Sequence, residues 1–317
     1  MAVHFLMRAF PSANSVLIED ERNVLVDTGF GSMVESLITD VEQTGVRVEN
    51  IHQIINTHAH SDHVGGNHRL QGAYRIPIAA HVFDADLVNY RHPETGCARW
   101  LEQPIEAYTI ERSLVDGDII QTGQYTWTVL HTPGHAQGHI TLYEPTEEIL
   151  ICGDLFQYKD VGWQNLFREG IACVSQSIQS LERLSKLSIK VAYPGHGPAI
   201  EQPHEMIALA KKRVQSWLAE PEKLYWHACK RIFSFTLIMK DGMSIDEVKP
   251  YLQQIGWCQD IAKYGFQQST EVFSEKVLNE MLRSGAATLE GDRLKASTPY
   301  VAAEWLPEKA YPDLWEK

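Results

Sequence analysis

The sequence predicts an α+β protein. Short β-rich runs alternate with amphipathic helical patterns over the first two hundred residues, and four of those runs end in tight turns carrying histidine or aspartate. Helical periodicity then dominates the last third. At 317 residues the chain is long for one average domain and suits two.

Segments around His4–Phe10, Ser15–Glu19 and Asn23–Val26 read as three short strands. Gly31–Gly45 reads as an amphipathic helix, because Met33, Leu37, Ile38 and Val41 recur at helical spacing and Gly45 supplies the stop. Ile51–Asn56 is the next strand, followed by a helix from Asp62 to about Leu70 and a strand over Ile76–Ala80. Leu114–Val129 contains a hairpin-like pair around Gly117 and Gly123. Residues 140–154 hold two strands separated by Glu144–Glu148. Ser175–Leu187 is amphipathic through Ile178, Leu181 and Leu184, and Ile189–Tyr193 is the last strand of this series.

The strand over Ile51–Ile55 runs into Thr57-His58-Ala59-His60-Ser61-Asp62-His63, three imidazoles and a carboxylate in six residues. Packed without metal, each would need its own hydrogen-bond partner when desolvated. A divalent cation removes that cost, since neutral imidazole and carboxylate are both zinc ligands. Thr132-Pro133-Gly134-His135, Cys152-Gly153-Asp154 and Pro194-Gly195-His196-Gly197 repeat the pattern of strand, tight turn and one ligand. Ligands leaving neighbouring strands at the same end converge on one edge of a sheet.

In these motifs the chain resembles the metallo-β-lactamase superfamily over roughly residues 3–203. The match is His58-x-His60-x-Asp62-His63, the turn to His135, Gly153-Asp154 and Gly195-His196-Gly197, with Val26-Asp27-Thr28-Gly29 similar to the family's early strand–turn. The resemblance implies an αββα sandwich. It also implies two divalent metal ions, zinc first and iron or manganese as other options. His58, His60 and His135 would hold one ion, Asp62, His63 and His196 the other, with Asp154 bridging. Asp62 and Asp154 are then the catalytic carboxylates, around a water or hydroxide activated between the ions. Histidine at position 60, where the flavodiiron branch has glutamate, favours hydrolysis over redox chemistry.

Fourteen histidines are present, so most need another account. His131 and His139 flank His135 but fall outside the family's ligand pattern, and hydrogen bonding is their expected role. His52, His68, His81, His92, His204 and His227 lack any motif. Asp27, on a tight turn, is expected to orient a ligand-bearing loop rather than to bind metal.

Hydrophobic content of 44% with 22% charged residues reads as a soluble globular chain, and no apolar stretch approaches a membrane span. The five scattered cysteines lack a C-x-x-C pair, which points to free thiols and a cytoplasmic location. Residues 1–203 carry a net charge of −12 and residues 204–317 of −1. Without a basic face, a nucleic-acid partner is not expected.

Two irregular segments are candidates for substrate contact. Residues 82–112 carry Tyr90, Arg91, His92, Trp100 and Tyr108; Leu155–Gly170 carries Phe156, Tyr158, Trp163, Phe167 and Arg168. Phe156, Tyr158 and Trp163 are the substrate-binding candidates beside Asp154, and Tyr158 is close enough in sequence to donate to a developing oxyanion. Packing over the domain's own core is the competing role for such aromatics.

The chain divides into a catalytic region over 1–203 and a C-terminal region over 204–317. The latter starts with a helix over His204–Leu218 and a break at Glu220-Pro221-Glu222. Helical runs follow over Tyr225–Lys240, Ile245–Ile255 and Thr270–Ser284, then a hairpin turned at Glu290-Gly291-Asp292. This order is similar to the small winged-helix domain that several superfamily hydrolases carry. Its near-neutral charge suits a wall of the active site or a homodimer contact better than DNA binding.

The leading expectation is a metal-dependent hydrolase of a small ester, thioester or lactone. A nuclease or phosphodiesterase of the same superfamily and a mononuclear-iron persulfide dioxygenase are the alternatives. Seven filled ligand positions disfavour the one-iron site, and the missing basic face disfavours the nuclease.

Overall fold

The structure, a computed structural model, describes residues 1–170, 172–304 and 310–316. Strands β1 (Ala2–Leu6), β2 (Ser15–Glu19), β3 (Asn23–Val26), β4 (Ile51–Ile55), β5 (Ile78–His81) and β6 (Arg112–Leu114) form one sheet in that order. The first three pair antiparallel and the rest parallel. Strands β7 (Ile119–Gln121), β8 (Thr126–His131), β9 (Ile140–Glu144), β10 (Ile149–Gly153) and β11 (Val191–Pro194) form a second sheet, parallel only between β10 and β11.

Strict alternation along these strands builds three stacked cores. Val16, Ile18, Val24 and Val26 meet Trp127, Val129, Ile140 and Leu142 between the sheets. The opposite faces of β2 and β3, through Leu17 and Leu25, pack on Leu37 and Val41 of the helix Val34–Gln43. Leu150 and Cys152 turn outward from the second sheet onto Leu181 and Val214, from the helices Ala172–Leu184 and Pro203–Ala219. Each fully buried aliphatic side chain contributes about 1.5–3 kcal/mol, so this double-sided pattern fixes the sandwich. The result is the αββα arrangement that the motifs imply.

Three local expectations need correction. The helix expected from Asp62 to Leu70 is two helices, Ser61–Val64 and Asn67–Tyr74, interrupted at Gly65-Gly66. A Cβ on Gly65 would collide with the Gly31 nitrogen, and one on Gly66 would lie 2.7 Å from the Thr28 carbonyl, so this close approach needs glycine. The strand expected through Phe10 ends at Leu6; Phe10 instead bridges Tyr300. Within Leu114–Val129 the pairing is β7 with β8, while Leu114 closes the edge of the other sheet.

After Ala219 the chain forms the helix Pro221–Met239, β12 (Met243–Ser244), the helices Ile245–Gln254, Gly256–Asp260 and Thr270–Arg283, and the hairpin β13 (Ala287–Glu290)–β14 (Arg293–Ala296). Pro221 starts its helix where its missing N–H costs nothing. Phe233, Leu237, Val248, Trp257, Phe273 and Met281 form the core of this region, and Trp100 and Leu101 of the sandwich enter it. The C-terminal segment returns to the sandwich: Trp315 donates to the Ile105 carbonyl at 2.8 Å, and Tyr311 and Trp315 join its outer core. Among the described residues, no helix is long and apolar enough to cross a membrane.

Candidate metal centre

The ends of β4, β8, β10 and β11 lie at one rim of the sandwich, and each is followed by ligand-type side chains. His58, His60 and His135 form one group; Asp62, His63 and His196 form another; His63 and Asp154 also group with His58. All seven side chains named from the sequence are buried here.

Hydrogen bonds determine which ring nitrogens face inward. His135 Nδ1 donates to the Trp163 carbonyl at 2.6 Å, so its Nε2 turns a lone pair inward. Thr57 Oγ1 donates to Asp27 Oδ2 at 2.7 Å and can therefore accept from His58 Nδ1 at 3.1 Å, which leaves His58 Nε2 unprotonated. Both Nε2 atoms lie 3.0 Å from His60 Nδ1 and 3.1 Å from each other. Lone pairs aimed at one point repel unless a cation shares them. Burial, and then the neighbouring imidazoles, hold His58 well below its ordinary pKa and His60 down to about 3, keeping both in the neutral form that binds metal.

Asp154 connects the two groups. Its oxygens lie 3.5 Å from His63 Nε2, 3.7 Å from His196 Nε2 and 3.8 Å from His135 Nε2. Asp62 Oδ2 lies 3.1 Å from His196 Nε2. His63 Nε2 and Asp154 Oδ1 are buried without any hydrogen-bond partner, an arrangement costly in protein alone and natural for two ligand atoms. A Cβ on Gly195 would collide with Asp154 Oδ1, so this glycine leaves the carboxylate its space. Burial opposes ionisation of Asp154, yet His196, His63 and His135 keep it well below the usual carboxylate range. Burial likewise disfavours charge on His63, but Asp27, Asp154 and Asp62 outweigh it and raise this imidazole well above its ordinary value. The donor set therefore fits divalent metal ions: neutral imidazoles on one side, and excess negative charge on the other.

A supporting ring of residues holds the ligands. Asp27 accepts from the Thr57 backbone, from Thr57 Oγ1 and from His63 Nδ1, each at 2.7 Å, which is the orienting role expected of it. His139 is a positioning residue, as expected: its Nε2 accepts from the Asp154 backbone at 3.1 Å and its Nδ1 faces Thr132 Oγ1 at 2.9 Å. His131 lies apart, stacked on His81. The Asn14 side chain donates to the carbonyls of Pro194 and Gly197, clamping the turn that carries His196.

The cavity over the centre is lined by Phe10, Leu101, Gln103, Trp163, Arg231 and Phe235, among others. Trp163 stacks on His60 and Phe10 on His196. Of the three substrate-binding candidates, only Trp163 lines this cavity. Phe156 is fully buried in the outer core under the second sheet. Tyr158 is 46% exposed, carries the Lys159 ammonium over its ring and is not among the residues lining the cavity. In the other loop, Trp100 and Tyr108 are core residues, and Tyr90 is solvent-exposed. The candidate segment 82–112 reaches the cavity through Leu101 and Gln103, whereas Phe10, Arg231, Ile232 and Phe235 come from segments the sequence did not single out. A cationic Arg231 within the apolar run of the helix Pro221–Met239 was the available signal.

Two stacked sheets with histidine and aspartate ligands gathered on one rim define a metallo-hydrolase. The chain belongs to the metallo-beta-lactamase superfamily, whose family model matches residues 9–196. It is 28% identical over 193 residues to a probable metallo-hydrolase, MJ0888, of Methanocaldococcus jannaschii, covering 59% of this chain and 88% of that protein. It is 32% identical over 167 residues to a hydroxyacylglutathione hydrolase of Rhodospirillum rubrum, covering 52% of this chain and 54% of that one. In fold it is similar to the metallo-beta-lactamase family protein TTHA1429 of Thermus thermophilus, with a TM-score of 0.60 at 21% identity, covering 93% of this chain and 98% of the other.

Proposed function

We propose that the protein is a dinuclear, zinc-type hydrolase of a small ester, thioester or lactone. The observation that carries this reading is Asp154, poised between two ligand groups under a small cavity with aromatic walls. His58 Nε2, His60 Nδ1 and His135 Nε2 would hold one ion, Asp62, His63 and His196 the second, and Asp154 both. When bound, such ions supply a nucleophile at neutral pH and polarise the substrate carbonyl. The chain's own residues do the rest. Asp27, Thr57 and the Trp163 carbonyl keep the imidazoles in their ligating tautomer. His139 anchors the backbone at Asp154. Phe10, Trp163 and Phe235 wall the reacting centre from bulk water, which strengthens every electrostatic interaction inside. The similarity to a hydroxyacylglutathione hydrolase supports the thioester option.

The region from Pro221 to Ala296 completes the pocket, contributing Arg231, Ile232 and Phe235. The order of helix, short strand, three helices and hairpin from Pro221 to Ala296 supports a winged-helix-like reading of it. All five cysteines are unpaired and buried, which supports a cytoplasmic, reducing location.

A panel of thioester, lactone, phosphodiester and RNA substrates, run with the zinc-loaded protein, tests this reading. Turnover is expected for a thioester, ester or lactone, with weak salt dependence. No saturable binding of labelled RNA is expected at physiological ionic strength, because neither region carries a basic excess. RNA cleavage with tight, salt-sensitive binding would instead establish the nuclease.

A further inference from the structure

A second cavity, of about 440 Å³, adjoins the metal centre and shares Phe10, Arg231 and Phe235 with the first as common walls. Its chemistry is different. His227, Lys230, Arg231, Ser234, Ser297 and Thr298 face it, and no aspartate or glutamate is among its described lining residues. In a chain of net charge −13 this is an unusual place.

The surrounding ion pairs leave positive charge in excess. Of the lining cations, Arg231 pairs with Asp160 and Lys230 with Glu280, and each of these carboxylates also meets a second cation behind the cavity wall, Arg213 and Arg283 respectively. His227 lines the cavity through its ring, with both nitrogens buried and Nε2 lying 3.7 Å from Asp160 Oδ1. Burial, then Arg213 and Lys230, push this imidazole down to about 3, so it is neutral and brings no charge of its own. An ammonium, a guanidinium and the four hydroxyls of Ser234, Ser284, Ser297 and Thr298 around one space match a doubly charged oxyanion.

We propose that this second cavity is a phosphate subsite, holding the anionic far end of the substrate whose carbonyl lies over the metal centre. This rests on the ester or thioester reading above and extends it to a substrate class: an acyl compound whose thiol or alcohol portion ends in a phosphate monoester. Hydrolysis adds water across the acyl–sulfur bond, with hydroxyl going to the acyl carbon and the proton to sulfur, while the distal phosphate stays unchanged. Phe10 and Phe235 stand between the two ends and would contact the uncharged linker.

The test compares S-acetylpantetheine with S-acetyl-4′-phosphopantetheine, which differ only in the terminal phosphate, in the wild type and in Lys230→Gln. KM for the phosphorylated substrate is expected to be lower than for the neutral one by about tenfold or more, the scale of one or two charge-assisted hydrogen bonds. In Lys230→Gln this preference should shrink by about tenfold through KM, with kcat little altered. Calorimetric titration of the metal-loaded wild type with 4′-phosphopantetheine and with pantetheine gives a readout independent of turnover, because any thiol–metal contact is common to both. If neither thioester is cleaved, the thioester reading fails, and the calorimetric preference still decides the subsite. Equal affinity for the two compounds, or a preference untouched by Lys230→Gln, would overturn the proposal.

Discussion

Asp154→Ala is expected to lose about a thousandfold in turnover while keeping its fold. In the bridging role proposed above, Asp154 would contribute to the charge balance and placement of both ions, and losing roughly 4 kcal/mol of transition-state stabilisation at 1.36 kcal/mol per decade gives this figure. The fold should survive because Asp154 follows β10 on the rim and contributes to none of the three apolar cores. Its removal also takes a buried negative charge from a place where His63, His135 and His196 point. Metal content should fall with activity, since at least one ion loses an anionic ligand. Steady-state kinetics and elemental analysis of the same preparation check this; near-normal activity with full metal content would remove Asp154 from the bridging role.

Asp27→Asn is expected to weaken metal binding by about 10–100-fold, although Asp27 binds no metal itself. The carboxylate takes three donors, two from Thr57 and one from His63. It thereby sets the tautomer of His63 directly and that of His58 through the Thr57 hydroxyl. Asparagine tolerates the left-handed backbone at this position, where φ is +59°, so the turn should persist. Its amide offers one acceptor oxygen in place of two and brings donors towards His63 Nδ1 and Thr57. A buried donor left without its acceptor costs about 1–3 kcal/mol, so the melting temperature should drop as well. Competition with a chromophoric chelator measures the affinity, and unchanged binding would show that the tautomers are set elsewhere.

The two variants probe parts of the site that differ in how far the sequence discloses them. Ligands are legible because strand, turn and ligand are contiguous: His135 and His196 each follow an apolar run within a few residues. Asp27 is legible for the same reason, as a carboxylate ending β3. The pocket walls are not. Phe10, Leu101 and Phe235 come from three separate segments, and only tertiary packing brings them over the histidine and aspartate cluster. Aromatic residues near Asp154 in sequence were a poor guide, since the turn after β10 sends Phe156 into the core, Tyr158 to solvent and Trp163 to the wall. A break at Gly65-Gly66 escapes helical periodicity because its cause is the approach of the Thr28–Gly31 backbone, far away in the chain.

The most direct test of a two-ion hydrolytic centre is the metal content of protein purified without chelators. Elemental analysis should find two transition-metal ions per chain, predominantly zinc, both lost together with activity on exhaustive chelation and both required for its recovery. A firm stoichiometry of one iron per chain, with full activity, would contradict the dinuclear account and place the protein with the mononuclear oxygenases of its superfamily.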